Sequence, residues 1–380
     1  MTTGTRIDRP AGPPPDTTHV ADTRPGALAR ILRSQHIWAI AAIVGLLCIN
    51  VIKDPGYLSI TYSSNTGAFV GNLVDIARAM APLLMIATGM CLVIATGGID
   101  LSVGSMMAVG GAVAMEYLSS ANAPDSIGAA AVAILAAIAL CATLGAINGI
   151  LIAVVGLQPF ITTLVMMLAG RGLAKVITGG QNTSAVNERY RWIANGYVLG
   201  LPVVFLSAVA IAVLVAFVIR RSALGMMIES IGINAEASRL AGLNRRALLI
   251  TVYTMSAFLA GIAGVFSTGT VMTVDVSQTG YQFELDAILA VVIGGTSLAG
   301  GRFSLAGAAI GAFLIATLDK TVVFLGIPAS ATPAFKATVI IVLYVAQSRR
   351  FRGWMAGLRP SRPTSVADPV DESPREMVPS

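Results

Sequence analysis

The 380-residue chain of 39.1 kDa is 55% hydrophobic and only 12% charged, with a mean hydropathy of +0.79. Soluble domains carry about 25% charged residues, and half of that over this length cannot cover a water-exposed surface, so an ordinary soluble enzyme is excluded. The 39 glycines show no triplet period, which excludes collagen, and the net charge of +6 leaves nucleic acid open only until the placement of the charges is read.

Residues 1–34 are rich in Pro, Thr and Arg and carry Arg6, Arg9, Arg24, Arg30 and Arg33. They read as a disordered cytoplasmic arm. A signal peptide is not expected there, because no short apolar core with a small-residue cleavage site follows. A helix crossing a bilayer needs about 20 mostly apolar residues. Runs at 36–52, 72–96, 103–118, 127–155 and 160–177 approach or meet that length. Five more follow at 201–219, 248–271, 287–298, 305–325 and 334–346. The expectation is an all-α membrane protein of about ten transmembrane helices, some broken at Gly-rich motifs. The spanning domain would cover 35–348, and 349–380 would form a tail that is basic at first and then disordered.

Charge is sparse inside these runs. Between Gly71 and Gly170 stand only Asp75, Arg78, Asp100, Glu116 and Asp125. The loop 220–247 carries Arg220, Arg221, Arg239, Arg245 and Arg246, and the tail opens with Arg349, Arg350 and Arg352. By the positive-inside rule these regions and the N-terminal arm face the cytoplasm. The stretch 272–286 has Asp275, Glu284 and Asp286 and no base, which fits the opposite side. An even number of spans puts both termini on one side, in agreement. One loop disagrees: 178–199 holds Arg189 and Arg191, yet the count places it outside. The basic balance is therefore a topology signal, and no nucleic-acid partner is expected.

The pairs Gly145/Gly149 and Gly307/Gly311 have the small-xxx-small spacing that lets helices approach closely in lipid. Residues 97–104 (GGIDLSVG) echo 294–301 (GGTSLAGG), and each stretch interrupts an apolar run. Breaks at matching places in two halves point toward a substrate pathway. Gly97, Gly98, Gly294 and Gly295 are candidates for it on this ground. Asp100 follows the first glycine pair. It can cap the next helix by accepting backbone N–H bonds, or the 97–105 break can line a polar cavity, and the two readings are compatible. Ser102, Asn148, Gln158, Thr162 and Thr163 are polar groups in or beside apolar runs, suited to sugar hydroxyls or to interhelical bonding. Asp75 and Arg78, three apart, can pair on one helix face. In the loop 220–247, Asn234 reads as the N-cap of a short helix with Glu236 in its first turn, and Gly242 as its C-terminal stop.

The absences matter too. No GxxxxGK[ST] occurs, so the chain lacks a phosphate-binding P-loop. His19 and His36 are peripheral and support neither a metal site nor a catalytic triad. Cys48, Cys91 and Cys141 lie in apolar runs and read as small buried hydrophobes. An ion-coupled carrier needs a membrane carboxylate, for which Asp100 and Glu116 are the candidates. The residues alone thus suggest a transport pore without its own energy source.

Four blocks resemble the permease subunits of bacterial ribose/xylose/galactose-type ABC importers. They are ATGGIDLSVGS (95–105), QPFITTLVMMLAGRGLA (158–174), the loop 223–244, and ELDAILAVVIGGTSLAGGRFSLAGAAIGA (284–312), with GIP…FKA beyond at 326–337. The wording is most similar to the galactofuranose-importer branch. Ile233 between Gly232 and Asn234 departs from the commoner Gly-Gly-Asn of the ribose type. The resemblance implies a pore of two permease chains, identical or related, in the bacterial inner membrane. An ABC ATPase would dock on the cytoplasmic side and hydrolyse ATP, so this chain would bind no cofactor itself. A periplasmic sugar-binding protein would deliver substrate. Residues 231–242 would form the coupling helix, making Glu229, Gly232, Asn234, Glu236, Arg239 and Gly242 the expected ATPase-coupling residues. An ion-coupled secondary sugar carrier is the alternative.

Overall fold

The computed structural model describes residues 35–347 apart from 65, 66 and 124; the arms at 1–34 and 348–380, with their arginines and His19, lie outside the described residues. Helix α1 spans Gln35–Lys53, α2 Asn72–Ala95, α3 Val103–Ser120 and α4 Ile127–Ile150, the last prolonged by a π-helical turn at Leu151–Val155. Then come α5 (Pro159–Ile177), α6 (Glu188–Asn195), α7 (Val203–Arg221), α8 (Leu224–Ile233) and α9 (Ala235–Leu240). The chain continues with α10 (Arg245–Val271), α11 (Phe283–Ile293), α12 (Leu305–Leu325) and α13 (Thr332–Gln347). Three small antiparallel pairs staple the loops: β1 (Thr61–Ser63) with β2 (Ala68–Val70), β3 (Thr183–Ser184) with β6 (Thr273–Val274), and β4 (Tyr197–Val198) with β5 (Leu201–Pro202).

Local signals set the boundaries. Ser126, Asn244 and Ser304 each accept a backbone N–H through the side chain and start α4, α10 and α12. Pro159 occupies the first turn of α5, where its missing N–H leaves no bond unmade.

Helix α10 is the hub, enclosed by α2, α3 and α4. Its neighbours touch it backbone to backbone. A methyl on Gly145 would lie 2.5 Å from Ala257 Cβ, and one on Gly149 2.6 Å from Ile250 Cα. Lipid offers no hydrophobic gain for helix association, so such dispersion contact is what holds the bundle. The Gly145/Gly149 spacing thus does what the sequence suggested. Gly311 of α12 meets Ala290 of α11 in the same way, at 1.9 Å from a would-be methyl to the carbonyl oxygen.

The loops gather at two ends. At one, Phe69 N bonds Gly200 O, Glu188 N bonds Asp125 Oδ1, and β3 pairs with β6. At the other, Gly301 N donates to Ala95 O at 2.9 Å, joining the two glycine-rich breaks. The loop 178–199 therefore lies at the end opposite the arginine loop, although it carries Arg189 and Arg191.

Among the described residues, six helices are long and apolar enough to cross a membrane: Asn72–Ala95, Ile127–Val155, Pro159–Ile177, Val203–Arg221, Arg245–Val271 and Leu305–Leu325. The run 287–298 is not a span of its own. Its helix is α11, 11 residues or about 16 Å long, ending where Gly294 and Gly295 turn the chain. The segment 275–282 first returns along α3, with Gly280 O 2.4 Å from the place of a Gly104 methyl, and α11 completes the descent. Two further expectations change. Arg78 donates to the Tyr197 hydroxyl, and no Asp75–Arg78 ion pair occurs among the described residues. Cys91 and Cys141 are buried, but Cys48 faces outward.

Candidate functional site

The break between α2 and α3 is built around Asp100, which is 1% exposed. Asp100 Oδ1 accepts from Ser102 N at 3.0 Å and Ser102 Oγ at 2.6 Å, and Oδ2 accepts from Ser256 Oγ of α10 at 2.8 Å. Asn148 of α4 donates to Ser102 Oγ at 3.1 Å, and Thr163 of α5 donates to Ile99 O at 3.1 Å. Three helices thus hold one irregular turn. Asp100 is not itself the helix N-cap. Ser102 takes that position without a side-chain capping bond, because its hydroxyl donates to Asp100 and accepts from Asn148 instead. Gly98 is small for a neighbour's sake: a methyl there would lie 2.4 Å from the Tyr253 hydroxyl. That hydroxyl and Asn148 Oδ1 are buried without a partner. The carboxylate faces no cation among the described residues and is fully engaged by neutral donors. The arrangement can clamp a break; it offers no open binding surface.

At the arginine loop the chain forms two helices, of which sequence reasoning saw only the second. Asn234 Oδ1 accepts from Glu236 N (3.1 Å) and Ala237 N (2.9 Å) and starts α9 as expected. Glu236 and Arg239 pair at the surface, 2.5 Å between Oε1 and Nη2, and that contact holds the Glu236 carboxyl below the ordinary carboxylate range. Gly242, at φ +83°, stops the helix, and Leu243 N closes it on Ser238 O. Glu229, Asn234, Glu236, Arg239 and Gly242 are exposed, as are Met226, Ile233 and Leu240 at 70–76%. A solvated connector has no need of such apolar exposure.

Gly232 is different. It is half-buried, and a methyl on it would lie 2.0 Å from Ala95 O and 2.3 Å from Gly301 N. Gly300 in turn packs with its own methyl position 2.9 Å from Gly232 O and 3.0 Å from Gly97 N. The last turn of α8, the end of α2 and the turn before α12 therefore interlock. The two breaks singled out by their likeness meet here, and the elbow touches both.

The structure brings together Asp100, Ser102 and Asn148, with Gly97 and Gly98 on the same turn. It leaves Gln158 exposed at the α4–α5 junction, and Thr162 bonds only Gln158 O in its own helix. Gly294 serves packing, 2.3 Å from Gly307 by its methyl position, and Gly295 supplies a turn at φ +93°. Glu116 sits at the far end, accepting from Thr183. Ser256 and Tyr253 were missed; the only signal was a hydroxyl inside an apolar run.

Comparison with known proteins agrees. Residues 72–346 match the family described as branched-chain amino acid transport system / permease component. The chain is 50% identical to a fructose import permease protein of Bifidobacterium longum over 88% of this chain and 93% of that one. It is 37% identical to the galactofuranose transporter permease protein of Escherichia coli K12, over 84% and 92% of the two chains. It is also 37% identical to the ribose import permease protein of that strain, over 74% and 87%. No solved structure matches the chain significantly.

Proposed function

The chain belongs to the branched-chain amino acid transport system / permease component family, and from that membership we propose that it is the pore-forming subunit of an ATP-driven monosaccharide importer. It is a multi-pass membrane protein. The reading adds about ten passes, counting α1, α3, α13 and the 275–293 re-entrant unit beside the six long apolar helices. It places the protein in the bacterial inner membrane, with both arms and the arginine loop in the cytoplasm. A second permease chain completes the pore, an ABC ATPase docks on α8–α9, and an exported sugar-binding protein delivers from the other side. The chain holds no nucleotide or other cofactor; the energy comes from the docked ATPase. Fructose is the first sugar to test and galactofuranose the next.

One observation carries the coupling part of this reading: Gly232 of the elbow seats directly on Ala95 and Gly301. ATP-driven closure of the ATPase pair moves α9. The interlock passes that motion to both breaks, and the bundle rocks between outward- and inward-open states. Arg239→Glu combined with Ala237→Pro alters the docking helix without touching the bundle. ATP hydrolysis is then expected to continue while fructose uptake into liposomes stops. Normal uptake in that double variant would reject the coupling role. The ion-coupled alternative predicts uptake by the permease alone, abolished by an uncoupler.

A further inference from the structure

Asp100 is sealed, so the sugar must pass elsewhere, and a second group of intramembrane charges remains. Lys336 Nζ of α13 lies 2.9 Å from Asp286 Oδ2 of α11 and 2.8 Å from Asp319 Oδ1 of α12. On the other flank of α11, Arg171 of α5 donates to Thr279 O at 2.6 Å, and Glu284 Oε2 is buried with no partner. Asp319 stands six residues before the end of α12 and Arg171 six before the end of α5, so each lies about 9 Å inside the same end of the bundle. Tyr281, two residues before α11 and near Arg171, is 59% exposed.

Charge inside the bilayer is costly, about 2.5–3.5 kcal/mol per group at the helix centre and less toward an end, and it almost always faces a bundle interior or a water-filled cavity. Asp319 is 42% exposed, so the face is not the interior of this chain. The outward face of α7, with Val213 61% and Phe217 57% exposed, is charged only in its last turn, at Arg220 and Arg221, and is the apolar comparison.

We propose that the outward face formed by Tyr281, just before α11, with Arg171 beside it and the Asp286/Lys336/Asp319 group, lines the sugar pathway and binds a neutral polyol on its way in. The inference rests on the importer reading above. Sugar hydroxyls both donate and accept, so carboxylates and cationic side chains can serve them in turn. The aromatic ring offers a flat apolar surface to the sugar's C–H face, and the Asp319 carboxylate, 42% exposed, supplies an acceptor. The triad carries a net charge of −1 whether or not sugar is present, so a neutral substrate enters and leaves without leaving a charge stranded. At about a third of the membrane depth from the loop end, the site stands where an externally delivered sugar would arrive first.

The test uses the complete importer, permease with its ATPase and sugar-binding protein, in liposomes. Tyr281→Cys and the control Val213→Cys are treated with a charged, water-soluble thiosulfonate; the unsubstituted protein gives the background from Cys48, Cys91 and Cys141. Tyr281→Cys is expected to react at least tenfold faster than Val213→Cys, and its modification to abolish labelled-fructose uptake while ATP hydrolysis persists. Reaction no faster than the control, or uptake surviving modification, overturns the proposal. Asp319→Asn is expected to lower uptake about tenfold with the yield of folded complex maintained. Wild-type uptake in Asp319→Asn and Tyr281→Ala together would also overturn it. If the unsubstituted complex carried no sugar, the importer reading would fall. Uptake by that complex with an unreactive Tyr281→Cys would sink only the pathway assignment.

Discussion

Gly232→Ala is the sharpest probe of the elbow. The position lies in the last turn of α8, where alanine in place of glycine would by itself favour the helix by up to about 1 kcal/mol. Sterics oppose this. The new methyl would fall 2.0 Å from Ala95 O and 2.3 Å from Gly301 N, the two atoms that bond each other at 2.9 Å. Both neighbours are backbone, so neither can swing aside as a side-chain end would. Overpacking of this kind typically costs about 1–3 kcal/mol, and an unmade buried backbone bond adds about 1–3 kcal/mol. The sum exceeds the helical gain, so α8 must lift from the two breaks. The expected outcome is a lower unfolding temperature of the permease and, in the assembled importer, ATP hydrolysis that no longer scales with sugar uptake. The nearby Gly242→Ala is the comparison. Alanine is strained at φ +83°, but its methyl meets nothing within 4 Å, so the penalty should stay at the end of α9 and leave α8 seated on the two breaks, with a smaller fall in melting temperature than Gly232→Ala. A Gly232→Ala importer with unchanged melting and an unchanged ratio of sugar moved to ATP hydrolysed would refute the idea that the interlock transmits motion.

At Asp100, replacement by Ala strands the Ser102 amide and two hydroxyls, at about 1–3 kcal/mol per buried unsatisfied group, and should sharply reduce the yield of folded protein. Asp100→Asn keeps an acceptor for Ser102 and lets Ser256 accept instead of donate; it should fold and transport, whereas an ion-coupling carboxylate would lose uptake. For the bundle hub, Gly149→Ala should cost about 1–3 kcal/mol, read as a lower melting temperature in detergent, because its methyl would sit 2.6 Å from Ile250 Cα. Neutralising the surface pair by Glu236→Gln should leave the melting temperature nearly unchanged, since exposed i,i+3 pairs contribute little. Any large uncoupling it causes would then report on docking and not on folding.

What could be read from the residues was short-range. Asn234 and Gly242 announce α9 because a cap and a stop act within four residues of themselves, and Gly145/Gly149 announce a close contact because the spacing already fixes the face. The fate of 287–298 was not legible: the apolar run continues through Gly294 and Gly295, and hydropathy alone cannot tell a half-helix followed by a turn from a full span. The clamp was half legible. Asp100, Ser102 and Asn148 stood out as polar groups in oily surroundings, but Ser256, 156 residues away from Asp100, gave no sign of being its partner. The charges of the α11 face were hidden for the same reason. Asp286 was read only within the acidic stretch 272–286, and Asp319 and Lys336 were not singled out; they lie in three separate helices, and only folding turns them into one group.

That difference bears on how the molecule works. On the proposed function, the elbow offers a docking ATPase one short segment, and its signature is compact in sequence as well as in space. The pathway must open and close, and a surface assembled from α5, α11, α12 and α13 can do so because its parts belong to separate helices. Lys336 illustrates the point: it holds Asp286 and Asp319 from two different helices at 2.9 and 2.8 Å, so any rocking of α12 against α11 must exchange one of those bonds for another partner. A sugar hydroxyl arriving at that moment is such a partner. On this argument substrate and bundle motion are linked through a single ammonium group, and the link would be lost in Lys336→Met even where the helices still pack.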